Sequence, residues 1–297
     1  MEIIGHKRQS QYLKQSAENN RLAHAYLFYG PSKIGKRTFA IEFAKSLQKP
    51  EERLANFSML EPIKGEEEDN KRESIHILQI RELKSKLSLS SASDGYKIAI
   101  IDNAQAMTFD AQGAMLKLLE EPKGKSLIIL IAELKDQLLS TITSRCQLIR
   151  FSTLSKQDIG QFLDSKDLDD SDKKMALWLS FGKMGRVIDY LDKKEERAIQ
   201  KNKIKEIREL IGAPIYEKFA LAEKLSKNRN ELLPSLEVWL HYFREVLLKK
   251  LKKEKIKKEY SFNDLKEIIN AVERTKYVLT QTNVNPRLAL ENLLLKI

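Results

Sequence analysis

Gly30-Pro31-Ser32-Lys33-Ile34-Gly35-Lys36 has the spacing GxxxxGK. Glycines at those two places let backbone N–H groups close round phosphate oxygens. A lysine at the start of a helix adds a full positive charge to the partial charge of the helix end. These residue types therefore point to a polyphosphate. In such a loop the following residue is Ser or Thr, whose hydroxyl binds Mg²⁺. Here it is Arg37, with Thr38 one step beyond. One helical step turns a side chain by about 100°, so Thr38 does not take the same place, and Arg37 puts a second cation where the metal would sit. The apolar run Ile98-Ala99-Ile100-Ile101 ends in Asp102, a carboxylate of the kind that organises a metal. The next residue is Asn103, and an amide cannot accept a proton as a glutamate can. The expectation is a degenerate nucleotide site at Gly30, Gly35, Lys36, Thr38 and Asp102. It would take ATP or ADP, where it takes either, without hydrolysis, and no metal ligands are assigned.

Arg145 stands in Thr143-Ser144-Arg145-Cys146, after a further apolar strand. A guanidinium at such a point can reach the γ-phosphate of a neighbouring subunit, where a finger supplied in trans is worth about 10³ to 10⁵ in turnover. From position alone, an ordinary surface ion pair is the commoner case. Cys146 is the only cysteine. It reads as a buried apolar thiol rather than a nucleophile. One cysteine makes neither an internal disulfide nor a cysteine-rich zinc site.

These residues need a scaffold. Ala25–Tyr29, Ile98–Ile101 and Leu127–Ala132 read as fully buried strands. Helical patterns lie between them, from Phe39 to Leu47 and from Phe109 to Glu121, the latter stopped by Pro122. Continuous apolar strands alternating with helices predict a parallel sheet covered on both faces. Residues 49–73 are charged, hold two prolines and lack a period, which predicts a long surface insertion. Asp94-Gly95 predicts a turn. Beyond Phe151 the pattern is helical: Lys156–Asp164, Asp172–Phe181, Arg186–Glu195, Ile204–Ile211, Ile215–Leu225, Leu232–Lys258, Phe262–Thr280 and Pro286–Leu295. The Lys-rich stretch Lys193–Lys205 reads as a linker.

The chain has 297 residues, enough for two or three domains, and its 42% hydrophobic content is enough for cores. The longest apolar run, Leu127–Ala132, falls far short of the roughly 20 residues of a membrane span. The N-terminus carries no signal-peptide core, so a cytoplasmic protein is expected. Basic residues exceed acidic ones, 53 to 42, for a net charge of +11, which favours polyanionic partners. Part of that excess sits in Lys249–Lys258, with seven lysines and one glutamate. Such a run usually marks the solvated end of a helix.

The same residues carry a resemblance. Ile3-Ile4-Gly5-His6 opens the chain, and Asn20-Arg21-Leu22-Ala23-His24-Ala25-Tyr26-Leu27-Phe28 leads into the phosphate loop. Ile80-Arg81-Glu82-Leu83, Tyr96-Lys97-Ile98 and Asp102-Asn103-Ala104 follow in order. Ala114-Met115-Leu116-Lys117-Leu118-Leu119-Glu120-Glu121-Pro122 is the most specific segment. Thr141-Ile142-Thr143-Ser144-Arg145-Cys146 and Asn283-Val284-Asn285-Pro286-Arg287-Leu288 complete the set. The chain thereby resembles the delta-prime subunits of the bacterial DNA polymerase III clamp loader, a family within the AAA+ superfamily.

The resemblance implies an α/β fold in three parts. Residues 1–152 would form an AAA+ parallel-sheet P-loop-type domain with the 49–73 insertion, 153–202 a small helical lid, and 203–297 an all-α collar for oligomerisation. It implies partners as well: delta and gamma or tau subunits in a hetero-pentamer, the sliding clamp, and primer-template DNA touched through its phosphates. No membrane is involved. Within the holoenzyme this chain would be a non-hydrolysing member that offers Arg145 in trans. Arg186, in Gly182-Lys183-Met184-Gly185-Arg186, falls where active relatives carry a phosphate-sensing arginine, and a helix-start surface charge is an equal reading. Many relatives hold a four-cysteine zinc module where this chain has its insertion, so no zinc is expected. Gly113 stands where relatives often have Asn. Leu130-Ile131-Ala132 lacks the polar residue that active relatives use to sense phosphate. Two other functions stay open. The chain would be an ATPase of the gamma or tau type if Lys36 and Asp102 suffice, or a stand-alone nucleic-acid binder through Lys249–Lys258.

Overall fold

The computed structural model describes residues 3–48, 56–63, 73–88, 95–122, 124–192, 194–253 and 260–297. They form two compact units, Met1–Ile188 and Asp189–Ile297. Among the described residues no helix is long and apolar enough to cross a membrane.

The first unit runs α1 (Lys7–Glu18), β1 (Ala25–Tyr29), α2 (Lys36–Leu47), β2 (Phe57–Leu60), α3 (Ile77–Ser88), β3 (Lys97–Ile101), α4 (Phe109–Glu120), β4 (Ser126–Ala132), a single turn α5 (Ser140–Thr143) and β5 (Gln147–Arg150). The strands form one five-stranded sheet in the order β2-β3-β4-β1-β5, parallel throughout. Alternate residues of each central strand go to opposite faces. Leu27, Ala99, Ile101, Ile128 and Leu130 pack with Ile80, Leu83 and Met115 of α3 and α4. Tyr26, Phe28, Ile98, Ile100 and Ile129 pack with Phe39 and Phe43 of α2 and with Phe151. A sheet wetted on neither face needs no polar alternation, so its central strands are continuous apolar runs. The predicted α/β parallel-sheet class is the observed one. α4 begins at an N-cap, where the Thr108 hydroxyl accepts a hydrogen bond from the Ala111 N–H at 3.3 Å.

The predicted 49–73 surface insertion is corrected in part. Residues 49–55 and 64–72 lie outside the described residues, as do Asp94 of the predicted turn and 254–258 of the lysine run. Within the rest, Phe57–Leu60 is strand β2, paired in register from Phe57 with Ile98 to Leu60 with Ile101. It is an edge strand, half-exposed along its length, and so lacks the apolar signature of the central strands.

Helices α6 (Lys156–Asp164), α7 (Asp170–Ser180) and α8 (Met184–Asp192) follow, and the division between the units falls within α8. The second unit continues with α9 (Lys194–Leu210), α10 (Ile215–Lys227), α11 (Arg229–Leu251), α12 (Phe262–Gln281) and α13 (Pro286–Leu294). Trp239 and Phe243 of α11, Leu265 and Val272 of α12, and Leu290 and Leu294 of α13 form its core. Ser261 and Asp264 cap α12 reciprocally, and Pro286 stands at the first position of α13 behind the Asn285 cap. Of the linker expected at Lys193–Lys205, Lys193 lies outside the described residues and Lys194–Lys205 is instead the first part of α9. Lys, Glu and Arg are good helix formers, and Ile204, Ile207 and Leu210 give the helix a buried stripe at its far end.

Candidate functional site

The C-terminal ends of β1, β3 and β4 are neighbours in the sheet, and the chemistry gathers there, as it does in open α/β sheets. Gly30 follows β1 directly, with φ +149°. A Cβ added to it would lie 2.1 Å from the Phe151 carbonyl oxygen, so no other residue fits without moving the backbone that follows β5. Gly35, with φ +99°, turns the chain into α2 and has open space where a Cβ would point. The loop between them is anchored from below by His6, whose Nε2–H donates to the Ile34 carbonyl at 2.9 Å. That partner is an acceptor, which puts the proton of the neutral ring on Nε2.

Lys36 is 7% exposed. Its ammonium donates back onto the loop, to the carbonyls of Gly30 at 2.5 Å and Pro31 at 2.7 Å. Burial lowers its pKa; Glu133 and Asp102 pull the other way, and Lys183 adds to the lowering. Lys183 belongs to a segment laid against the loop, where the Gly185 N–H donates to the Lys33 carbonyl at 2.8 Å.

Arg37 points to the acidic strand end. One terminal nitrogen pairs with Asp102 Oδ2 at 3.4 Å and the other with Glu61 Oε1. The Asp102 side chain is 13% exposed, and its other oxygen accepts from the Asn103 N–H at 3.0 Å. Glu61 follows β2 directly. The backbone N–H of Asp102 donates to Leu60 at 2.9 Å, which brings the two carboxylates to one place. Thr38 is exposed on α2. Asn103, in a left-handed conformation with φ 50°, is exposed as well.

Gly30, Gly35, Lys36 and Asp102 are thus gathered round one loop. Arg186 lies one residue beyond the Gly185 contact, with its guanidinium 4.3 Å from the centre of the Phe181 ring. The open space at Gly35 and the buried ammonium suit a phosphate. The Arg37 guanidinium between Glu61 and Asp102 does not suit a divalent cation, which needs oxygen donors without a competing positive charge. Among the described residues no group of three or more His, Cys, Asp or Glu side chains could hold a metal ion. Sequence reasoning missed Glu61, Glu133 and Lys183. Glu133 follows a recognised strand and was legible; Glu61 was not, because β2 was not.

Arg145 follows α5. It donates to the Thr141 carbonyl at 2.9 Å and pairs with Glu120 Oε1 at 2.8 Å, and both side chains are more than a third exposed. Cys146 is half-buried against the α3–α4 core, and burial pushes its thiol pKa up to about 12. It is an apolar contact and not a nucleophile at neutral pH.

A sequence model of the family described as DNA polymerase III, delta subunit, matches residues 5–155, just over half of the chain. DNA polymerase III subunit delta' of Bacillus subtilis is 35% identical over 167 residues, 52% of this chain and 50% of that protein. The Pseudomonas aeruginosa subunit of the same name is 34% identical over 142 residues, 42% of each. The match thus spans about half the length of these relatives, or somewhat less. Subunit tau of B. subtilis is 25% identical over 91% of this chain and 54% of that protein. Among solved structures, a gamma subunit-related protein of Thermotoga maritima superposes over 95% of this chain and 97% of its own, at 19% identity and a TM-score of 0.48.

Proposed function

The chain belongs to the family described as DNA polymerase III, delta subunit, and from that premise we propose that it is a clamp-loader subunit of the delta-prime kind. It takes a place in a ring with delta and gamma or tau subunits, and the ring loads the sliding clamp on primed DNA in the cytoplasm. It splits no ATP itself and supplies Arg145 to a neighbour's triphosphate. Residues 1–152, 153–202 and 203–297 serve as its P-loop-type, lid and collar parts.

The observation that carries this reading is the state of its own pocket. Arg37 lies on Asp102, and Asn103 holds the place of the base. Lys36 can still attract phosphate, but no described residue there can both organise a metal and activate water. Arg145 has the opposite character: a fully charged, planar donor held at the rim by one exposed pair and one carbonyl. Charge that develops on a transferring phosphoryl group is what such a residue stabilises. The basic excess of the chain suits contact with DNA phosphates.

The retained Lys36 is the one feature that favours the gamma-type ATPase instead. Reconstitution with the partner subunits separates the two. Arg145→Ala lowers the ATP turnover of the complex at least tenfold while the complex still assembles, and the isolated chain shows no single-turnover hydrolysis. Unchanged turnover with Arg145→Ala removes the finger. Hydrolysis by the isolated chain that Lys36→Ala abolishes establishes the ATPase.

A further inference from the structure

We propose that Arg37 keeps a divalent cation out of this pocket: with Glu61 and Asp102 it forms an ion triad in the place the metal would take. The inference concerns the chain's own loop and stands whether or not Arg145 serves a neighbour.

Three observations carry it. Arg37 meets carboxylates at the ends of two adjacent parallel strands, which direct its half-exposed guanidinium beside the loop. Both oxygens of Asp102 already accept hydrogen bonds, one from Arg37 and one from the Asn103 backbone. The residue after Lys36, where a hydroxyl would complete a magnesium shell, carries a permanent positive charge instead. Mg²⁺ demands a near-octahedral set of oxygens and gives up its waters reluctantly. Here it would have to displace a guanidinium that its own charge repels. Arg37 has further N–H donors beyond the two in these pairs, and a guanidinium fork matches phosphate oxygens. The pocket therefore favours a free nucleoside triphosphate over its magnesium complex.

Removing Arg37 should reverse this. Arg37→Thr frees two carboxylates and adds a hydroxyl at the same point, which together with triphosphate oxygens is a shell of magnesium type. The test is calorimetric titration of the full chain with ATP, once in excess Mg²⁺ and once in EDTA. For the unaltered chain, Mg²⁺ is expected to give no tightening of ATP binding, and weaker binding than in EDTA wherever ATP binds. For Arg37→Thr, Mg²⁺ is expected to tighten binding at least tenfold. Lys36→Ala added to that variant is expected to abolish the gain, which ties it to this loop. Manganese in place of magnesium gives a second readout, an electron-spin signal of bound Mn²⁺ with ATP present in the variant alone. A thermal midpoint within a few degrees of the parent confirms that the variant is folded. Tightening of the unaltered chain by magnesium, or no tightening in folded Arg37→Thr, overturns the proposal.

Discussion

Glu120 gives the sharpest test of how Arg145 works. The two side chains meet at 2.8 Å, with 37% of the arginine and 48% of the glutamate exposed. A pair so open to water contributes about 0 to 1 kcal/mol. Glu120→Gln removes its charge and leaves the Thr141 carbonyl as the remaining anchor of the guanidinium. A release of up to about 1 kcal/mol makes Arg145 at most about fivefold more available. Losing the arginine is another matter: a finger acting in trans is worth about 10³ to 10⁵ in turnover, or roughly 4 to 7 kcal/mol of barrier. The expected order of ATP turnover in the reconstituted complex, with clamp and primed DNA present, follows from those magnitudes. Glu120→Gln lies between the parent value and about five times it. Arg145→Lys falls well below, because a point charge does not replace the fork, and Arg145→Ala is lowest. A Glu120→Gln complex that loses as much turnover as Arg145→Ala would show that the pair, and not the free guanidinium, is what the complex needs.

Two predictions concern the loop itself. Gly30→Ala places a methyl 2.1 Å from the Phe151 carbonyl oxygen and is expected to cost about 2 kcal/mol or more, whereas Gly35→Ala meets nothing within 4 Å and is expected to cost about 1 kcal/mol for its positive φ alone. Urea midpoints measure both, and equal shifts contradict the close approach. His6 predicts a pH dependence. Burial lowers its pKa below 6.5, against the Ile34 carbonyl and Asp158, which raise it. The unfolded chain then binds more protons from about pH 6.5 downward, so stability falls as pH drops through that value until the folded pKa is passed. His6→Asn, which tolerates the left-handed φ of 54° at this residue, should flatten that part of the curve; parallel curves for the two proteins would rule His6 out as the cause.

What was legible in the sequence follows the physics of burial. β1, β3 and β4 are covered on both faces, so each is a run of apolar residues that no loop would carry. The edge strands were not read. β2 is half-exposed at all four residues, and β5 buries only Ile149. Their place in the sheet comes from pairing with distant residues, which leaves little mark on four residues of sequence. The site divides in the same way. Gly30, Gly35 and Lys36 share one turn of chain, and their spacing is the signal. Glu61 meets Arg37 only because β2 returns to the edge of β3, so its role could not be read without that register. α9 was mistaken for a linker because its lysines and glutamates look like a solvated connection, and the buried residues described in it, Ile204, Ile207 and Leu210 among them, lie toward its far end.

The two arginines are held in ways that suit opposite tasks. A guanidinium that serves a neighbour must leave its resting contacts at small cost, and a single half-exposed carboxylate with one carbonyl allows that. A guanidinium that replaces a metal must stay. Arg37 is half-exposed, like Glu61, but it is bound by two carboxylates rather than one, and the second, Asp102, is 13% exposed and therefore less screened. Removing Arg37 would leave two like charges facing each other at the strand ends, and relief of that repulsion is what would draw in a divalent cation. The same substitution would leave Arg145 and its Glu120 pair unchanged. Magnesium response and turnover in the assembled ring should therefore vary independently, one with position 37 and the other with position 145.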